Sequence, residues 1–179
     1  MTVENGMETL PRDVVMKSLR MVLKEAYEGP YDPRGTWFVE MAPDSGLFGT
    51  LSAVSAEEAS RPPAPGRSTI AGHAGHLRFS LEVARRFLGG DRGPFEWEQS
   101  WATSSVDEAA WAELRAGLRQ EYDAFRRALD EAGELDWLHL SAIVGGVAHA
   151  AYHLGAIRQM TLELRGAPAA NAETTGARG

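Results

Sequence analysis

"WLHLSAIVGGVAHAAYHLGAIRQMTLEL", residues Trp137 to Leu164, is the stretch whose reading decides the fold. It is far longer than a strand and carries apolar residues on nearly every side of a 3.6-residue repeat. At 100° per residue, one face holds His149 and His153 together with Ala142, Gly145, Gly146, Tyr152, Ala156 and Met160. The other face holds Leu140, Val144, Val147, Ala151 and Leu154. A helix apolar nearly all round is expected inside a bundle rather than on its surface. Two imidazoles on its face then need an explanation, because a buried polar group must find a partner.

The rest of the chain supplies helices to surround it. In "TLPRDVVMKSLRMVLKEAYEGP", Thr9 is the expected cap and Pro11 suits the first turn. Val14, Val15, Leu19, Val22, Leu23 and Tyr27 keep helical spacing up to the stop at Gly29-Pro30. Residues 30–44 read as an ordered loop, with Trp37 and Phe38 expected to anchor it in the core. "SGLFGTLSAVSAEEAS" reads as a second, shorter amphipathic piece with Leu47, Phe48, Leu51 and Val54 on its stripe, ended by "RPPAPGR".

Further on, "STIAGHAGHLRFSLEVARRFLGG" predicts a helix capped by Ser68 and stopped by Gly89-Gly90. A loop containing Trp97 and Trp101 follows. "SVDE", Ser105 to Glu108, has capping-box spacing and opens a long helix through Trp111, Leu114, Leu118, Tyr122, Phe125 and Leu129 to a stop at Gly133. No strand pattern or internal repeat stands out. The expected architecture is all-α: an up-and-down four-helix bundle with an extra short helix and loop after the first helix. The expected organisation is an N-terminal segment at 1–12, a helical bundle at 13–165 and a disordered tail at 166–179.

Composition narrows the chemistry. The 179 residues suffice for one domain with a sizeable core. The net charge of −7 argues against a nucleic-acid partner, since phosphate binding needs concentrated positive charge. There is no cysteine, so disulfides, thiolate metal sites and a cysteine nucleophile are excluded, and any thiol chemistry needs an external thiol. "MTVENGMETL" lacks the basic and apolar regions of a signal peptide, and no apolar run is expected to reach the roughly 18 residues of a membrane span. A cytoplasmic protein with no membrane partner is the default expectation.

The five histidines carry the chemical signal. His149 and His153 are four apart, so their Cβ atoms stand roughly 5–6 Å from each other on a helix and their rings can converge on one ion. The glutamate of the "HExxH" motif is missing, with Ala150 in its place. Small neighbours leave room for a metal and something bound to it, where a structural core would hold Leu or Ile. A third ligand is expected from His76, which faces inward with Gly72, Ser80, Val83 and Phe87. His73 lies about 60° away around the same helix by the 100° rule, where a ligand, a partner of a ligand or a surface residue is equally at home. His139, near a helix start, suits capping or the surface. Three neutral imidazoles suit zinc, nickel, copper or iron. Three protein ligands leave a coordination position open, as in catalytic rather than structural zinc sites. The tryptophans are expected in the core, and Glu40 or Trp37 is a weaker candidate for a pocket mouth.

Two of these segments, in this order, resemble a known family. "STIAGHAGHLRFSLE" is similar to the helix on which the DinB-like superfamily places one metal histidine, and "HAAYHLGAIRQM" to its His-x-x-x-His-x-Gly signature. "GLFGTLSAVSAEEASRPPAPGRST" resembles the lead-in to the first metal helix, and the likeness spans roughly residues 13–165. The resemblance implies His76, His149 and His153 as ligands of a divalent ion such as zinc or nickel, with His73 additional. It implies a four-helix bundle, a homodimer and a small-molecule substrate. Some relatives transfer low-molecular-weight thiols, and one isomerises maleylpyruvate. Ala156 stands where the family often has Gln. The expected function is thus a metal-dependent enzyme, foremost a thiol-dependent S-transferase. The alternatives are a hydrolase using metal-activated water, and a non-catalytic, stress-related interaction bundle with a structural metal or none.

Overall fold

The computed structural model describes residues 10–166 except Pro33. The expected cap Thr9 and the tail from residue 167 onward lie outside the described residues. Six α-helices follow one another: α1 (Arg12–Glu28), α2 (Leu47–Ser52), α3 (Ala56–Ser60), α4 (Ile70–Leu88), α5 (Glu108–Glu131) and α6 (Trp137–Gly166). A 3-10 turn, Trp97–Trp101, lies between α4 and α5. Among the described residues there is no strand, only an isolated bridge between Asp32 and Gly35. The fold is the expected all-α bundle, built from α1, α4, α5 and α6.

The long helices form for the reasons visible in their sequences. On α5 the stripe Trp111, Leu114, Leu118, Tyr122, Phe125 and Leu129 is buried as a unit. It meets Leu19, Leu23 and Tyr27 of α1 and Ile70, Leu77 and Leu81 of α4 in one core. Tyr27 and Tyr122 stack with centroids 4.7 Å apart, and Phe48 of α2 closes the cluster edge-on against Tyr122 at 5.3 Å. Trp111 is fully buried and satisfies its indole N–H on the Val54 carbonyl at 2.8 Å. That one bond ties α5 to the turn after α2.

Several expectations at the helix ends are corrected. The α4 cap is Thr69, one residue beyond Ser68, and its hydroxyl accepts from the Gly72 N–H at 3.1 Å. The α5 cap is Asp107, whose carboxylate accepts from the Ala110 N–H at 2.8 Å. No Ser105 capping box forms. Glu108 instead accepts from the Ala56 N–H on α3 at 3.3 Å. The segment read as one amphipathic piece is two short helices, because Ser55 starts a capping box of its own with Glu58.

Glu58 also accepts from Arg165 near the end of α6 at 2.7 Å, clamping α3 to the last turn of the bundle. The Arg165 guanidinium, helped by the Ser55 N–H, holds the Glu58 carboxyl down at about 2. A carboxyl depressed in the folded state contributes stability that is present above its ordinary value of 4.5 and lost as pH falls toward 2. Glu58→Gln is therefore expected to cost about 1 kcal/mol at pH 7. The gap from wild type should narrow as pH drops below 4.5 in paired thermal melts, and a gap independent of pH would contradict the clamp.

The loop before α2 is held differently from expectation. Trp37 is 71% exposed and Phe38 41%, so neither anchors it. The anchor is Glu25 of α1, which is fully buried. Its Oε1 accepts from the N–H groups of Trp37 at 2.6 Å and Phe38 at 2.9 Å, and from the Thr36 hydroxyl. Burial alone pushes this carboxyl up, but the donors outweigh it and hold it below the usual range.

The last helix departs from expectation in a way that matters for function. Ile143, Ala150, His153, Leu154, Ile157, Met160 and Leu164 are buried, and the helix packs on α4, α1 and α2. The opposite face is open: Val144 is 51% exposed, Tyr152 69% and Leu162 66%. The helix is also long and apolar enough to cross a membrane by length and composition, contrary to the sequence expectation. Its buried stripe serves the bundle core. Apolar residues dominate cores, but they also make up much of any protein surface, so all-round apolarity did not require all-round burial.

Candidate metal centre

Helices α4 and α6 pack against each other along the bundle. His76 projects from α4 and His149 and His153 from α6. The Nε2 atom of His149 lies 3.1 Å from Nε2 of His76 and 2.8 Å from Nε2 of His153. All three histidines offer ring nitrogens within 4.8 Å of one another. His76 and His153 are buried and His149 is half-buried. The two-helix convergence expected from sequence is thus present in space.

The outer nitrogens of these rings are held by other side chains. Ser100, in the 3-10 turn, gives its hydroxyl proton to the Trp97 carbonyl at 2.5 Å. Its oxygen is then left to accept from Nδ1–H of His76 at 2.7 Å. That assignment, made from the hydrogen-bond network, leaves Nε2 of His76 as a bare lone pair. His153 Nδ1 faces His73 Nδ1 at 2.8 Å. With the shared proton on His153, its Nε2 is also bare. Two lone pairs then face the single Nε2 of His149, which has at most one proton to offer. In that proton arrangement the three nitrogens are short of donors. This donor set fits a divalent ion.

The electrostatics favour the ligating form. Burial, with the neighbouring His149 and His73, holds His76 down at about 4. Burial and the same cluster hold His153 down at about 3. Burial lowers His149 as well. All three are neutral at pH 7. Trp101 stacks on His76 with centroids 4.2 Å apart and an interplanar angle of 16°, fixing that ring in place.

His73 does not join the three converging nitrogens. It is the hydrogen-bond partner of His153 and packs edge-on against Trp101 at 5.3 Å. His139 lies away from the cluster and is not itself a cap: Asp136 accepts its backbone N–H at 2.8 Å and its Nδ1–H at 2.6 Å. Glu40 pairs with Arg158 at 3.6 Å, and Trp37 lines a separate surface cleft, so neither reaches the histidines. Trp97 and Trp101, expected in the core, flank the site instead at 45% and 36% exposure. Ser100 was missed by sequence reasoning, because a lone serine in a loop carries no signal of what it touches.

The open side of the cluster faces a cavity of about 690 Å³. Its walls include His73, Trp101, Tyr152, Met160 and, at the rim, Arg67, Gln159 and Glu163. Arg67 has no ion-pair partner among the described residues. The family model of the DinB superfamily matches residues 45–157, more than half of the chain, and covers His73, His76, His149 and His153. No curated protein and no solved structure gives a significant match.

Proposed function

This chain belongs to the DinB superfamily, and from that premise we propose that it is a divalent-metal-dependent enzyme acting on a small molecule, with a low-molecular-weight thiol as co-substrate. The observation that carries the reading is the convergence of three Nε2 atoms beside an open cavity. His76, His149 and His153 would hold the ion, zinc or nickel by the family resemblance. When bound, such an ion lowers the pKa of a thiol or water that ligates it.

The chain's own residues do the rest. Ser100 and His73 orient two of the ligands through their outer nitrogens. Trp101 walls one side and keeps bulk water from His76. Arg67 at the rim offers a charge for the carboxylates that small thiols carry. Gln159 supplies a neutral donor and acceptor beside it. The absence of cysteine makes an external thiol necessary for any S-transfer. A hydrolase reading finds less support, because Glu163 is the only carboxylate in the described cavity wall and it stands at the rim. The non-catalytic reading would suit a fourth protein ligand, and His73 is turned to His153 instead. A homodimer through the exposed apolar face of α6 is part of the same proposal.

Elemental analysis of protein purified without added metal tests the first half, with about one ion per chain expected. For the second half, cobalt-loaded protein is titrated with a panel of small thiols. A sulfur-to-cobalt charge-transfer band is expected with at least one, and none with any would remove the thiol from the reading. The orienting role of Ser100 has its own test. Ser100→Ala should weaken metal binding by roughly 10–100-fold in a chelator competition, with the melting curve of the metal-free protein little changed. Unchanged affinity would mean that His76 is oriented by its stacking on Trp101 alone.

A further inference from the structure

The histidine cluster has a second cavity on its other side. An apolar cleft of about 570 Å³ lies between α4, α6 and the segment before the 3-10 turn. His76 and His149 form part of its wall, and both also line the polar cavity described above. The two spaces therefore meet at the same two side chains. Their chemistry differs sharply. The polar cavity carries Arg67, Gln159 and Glu163. Apart from the two histidines and Ser80, the cleft is apolar, and its larger walls are Val83, Phe87, Phe95 and Trp97. The Ser80 hydroxyl oxygen is closed off from solvent.

We propose that this cleft binds an aromatic ring of the enzyme's second substrate, placing it against His76 and His149 while the thiol occupies the polar side. The inference rests on the metal-enzyme reading above and names the substrate class of that site. Three aromatic walls favour an aromatic guest, because edge-to-face and offset contacts add to simple apolar burial. The walls are also held in place. Arg92 lies over Phe87 with its guanidinium carbon 4.1 Å from the ring centroid, and Arg86 lies over Phe95 at 4.9 Å. Phe79 meets Trp97 edge-on at 5.3 Å. No charged side chain lines the cleft to welcome a carboxylate or phosphate there.

The floor of the cleft provides a clean experiment. A Cβ built on Gly145 or Gly146 meets no heavy atom within 4 Å, so a larger residue at either position grows into the open space. Glycine inside a helix is also the less stable choice, so replacement should not weaken α6. The probe is 2-naphthol, titrated into the full chain and followed by tryptophan fluorescence and calorimetry. Wild type is expected to bind it. Gly146→Leu should weaken binding at least tenfold with metal content unchanged, and Ala142→Leu, also in the cleft wall, should do the same. Ala116→Leu, exposed on α5 and lining neither cavity, should leave binding as in wild type.

Absence of binding to wild type, or undiminished binding to both filled variants, overturns the proposal. Metal content measured on the same samples separates the two readings. Metal present without naphthol binding would sink the aromatic cleft alone. Naphthol bound and blocked by Gly146→Leu in a protein that takes up no metal would sink the metal enzyme and uphold the cleft.

Discussion

His149→Ala is expected to abolish stoichiometric metal binding, leaving less than a tenth of the wild-type content after purification. Nε2 of His149 is the atom that faces both of the others, at 3.1 and 2.8 Å. Without it His76 and His153 remain as two ligands, fewer than the three protein ligands of catalytic zinc sites. The fold should not suffer, because His149 is only half-buried and its removal opens no sealed core volume. Two melts make the point. In wild type, chelation should lower the melting temperature, since an ion that binds only the folded chain stabilises it by about 2.7 kcal/mol at a hundredfold excess over its Kd. In the variant, chelation should change nothing. Acidification should release the ion from wild type, because only neutral imidazoles ligate. Retention of a full complement of metal by His149→Ala would place the ligands elsewhere. A wild type that binds no ion on titration would end the metal reading altogether.

The second large effect is expected far from the histidines. Glu25→Ala should destabilise the protein by about 3 kcal/mol, because three part-buried donors left without an acceptor each cost toward the low end of about 1–3 kcal/mol. Two of those donors are the N–H groups of Trp37 and Phe38 at 2.6 and 2.9 Å, and a third is the Thr36 hydroxyl. In a chain of this size the melting temperature should fall by roughly 6–12 °C. The pH dependence has a definite sign. The donors hold the Glu25 carboxyl below its ordinary value of 4.5, so its contribution is present above that pH and lost as pH falls through the lowered value. The gap between variant and wild type should therefore shrink in acid. A shift under about 2 °C at pH 7 would show that the loop at residues 36–39 is held by other contacts. Metal content should be unchanged, since Glu25 lies outside both cavity walls.

Sequence alone determined a good deal of this protein. The spacing of Leu, Tyr, Phe and Trp on the α1 and α5 stripes predicted those helices, because helical periodicity is a local and repeated signal. The pairing of His149 and His153 was equally legible, since an i, i+4 spacing on one helix fixes two side chains as neighbours whatever surrounds them. The absence of cysteine was legible at once. Cap positions were less so: Ser68 and Thr69 are both good caps, and Ser105 and Asp107 likewise, and tertiary contacts chose between them.

Only the tertiary structure decided the rest. His76 meets His149 across 73 residues and Ser100 across 24, and no local pattern encodes such meetings. Whether His73 would ligate or support depended on which way its ring turned. The apolarity of α6 said nothing of which side its neighbours would cover. A buried Glu25 ordering a loop through three backbone and hydroxyl donors looks, in sequence, like any surface glutamate on a helix. Local periodicity sets the elements and one face of each. The packing of those faces sets which lone pairs converge, and therefore where chemistry can happen.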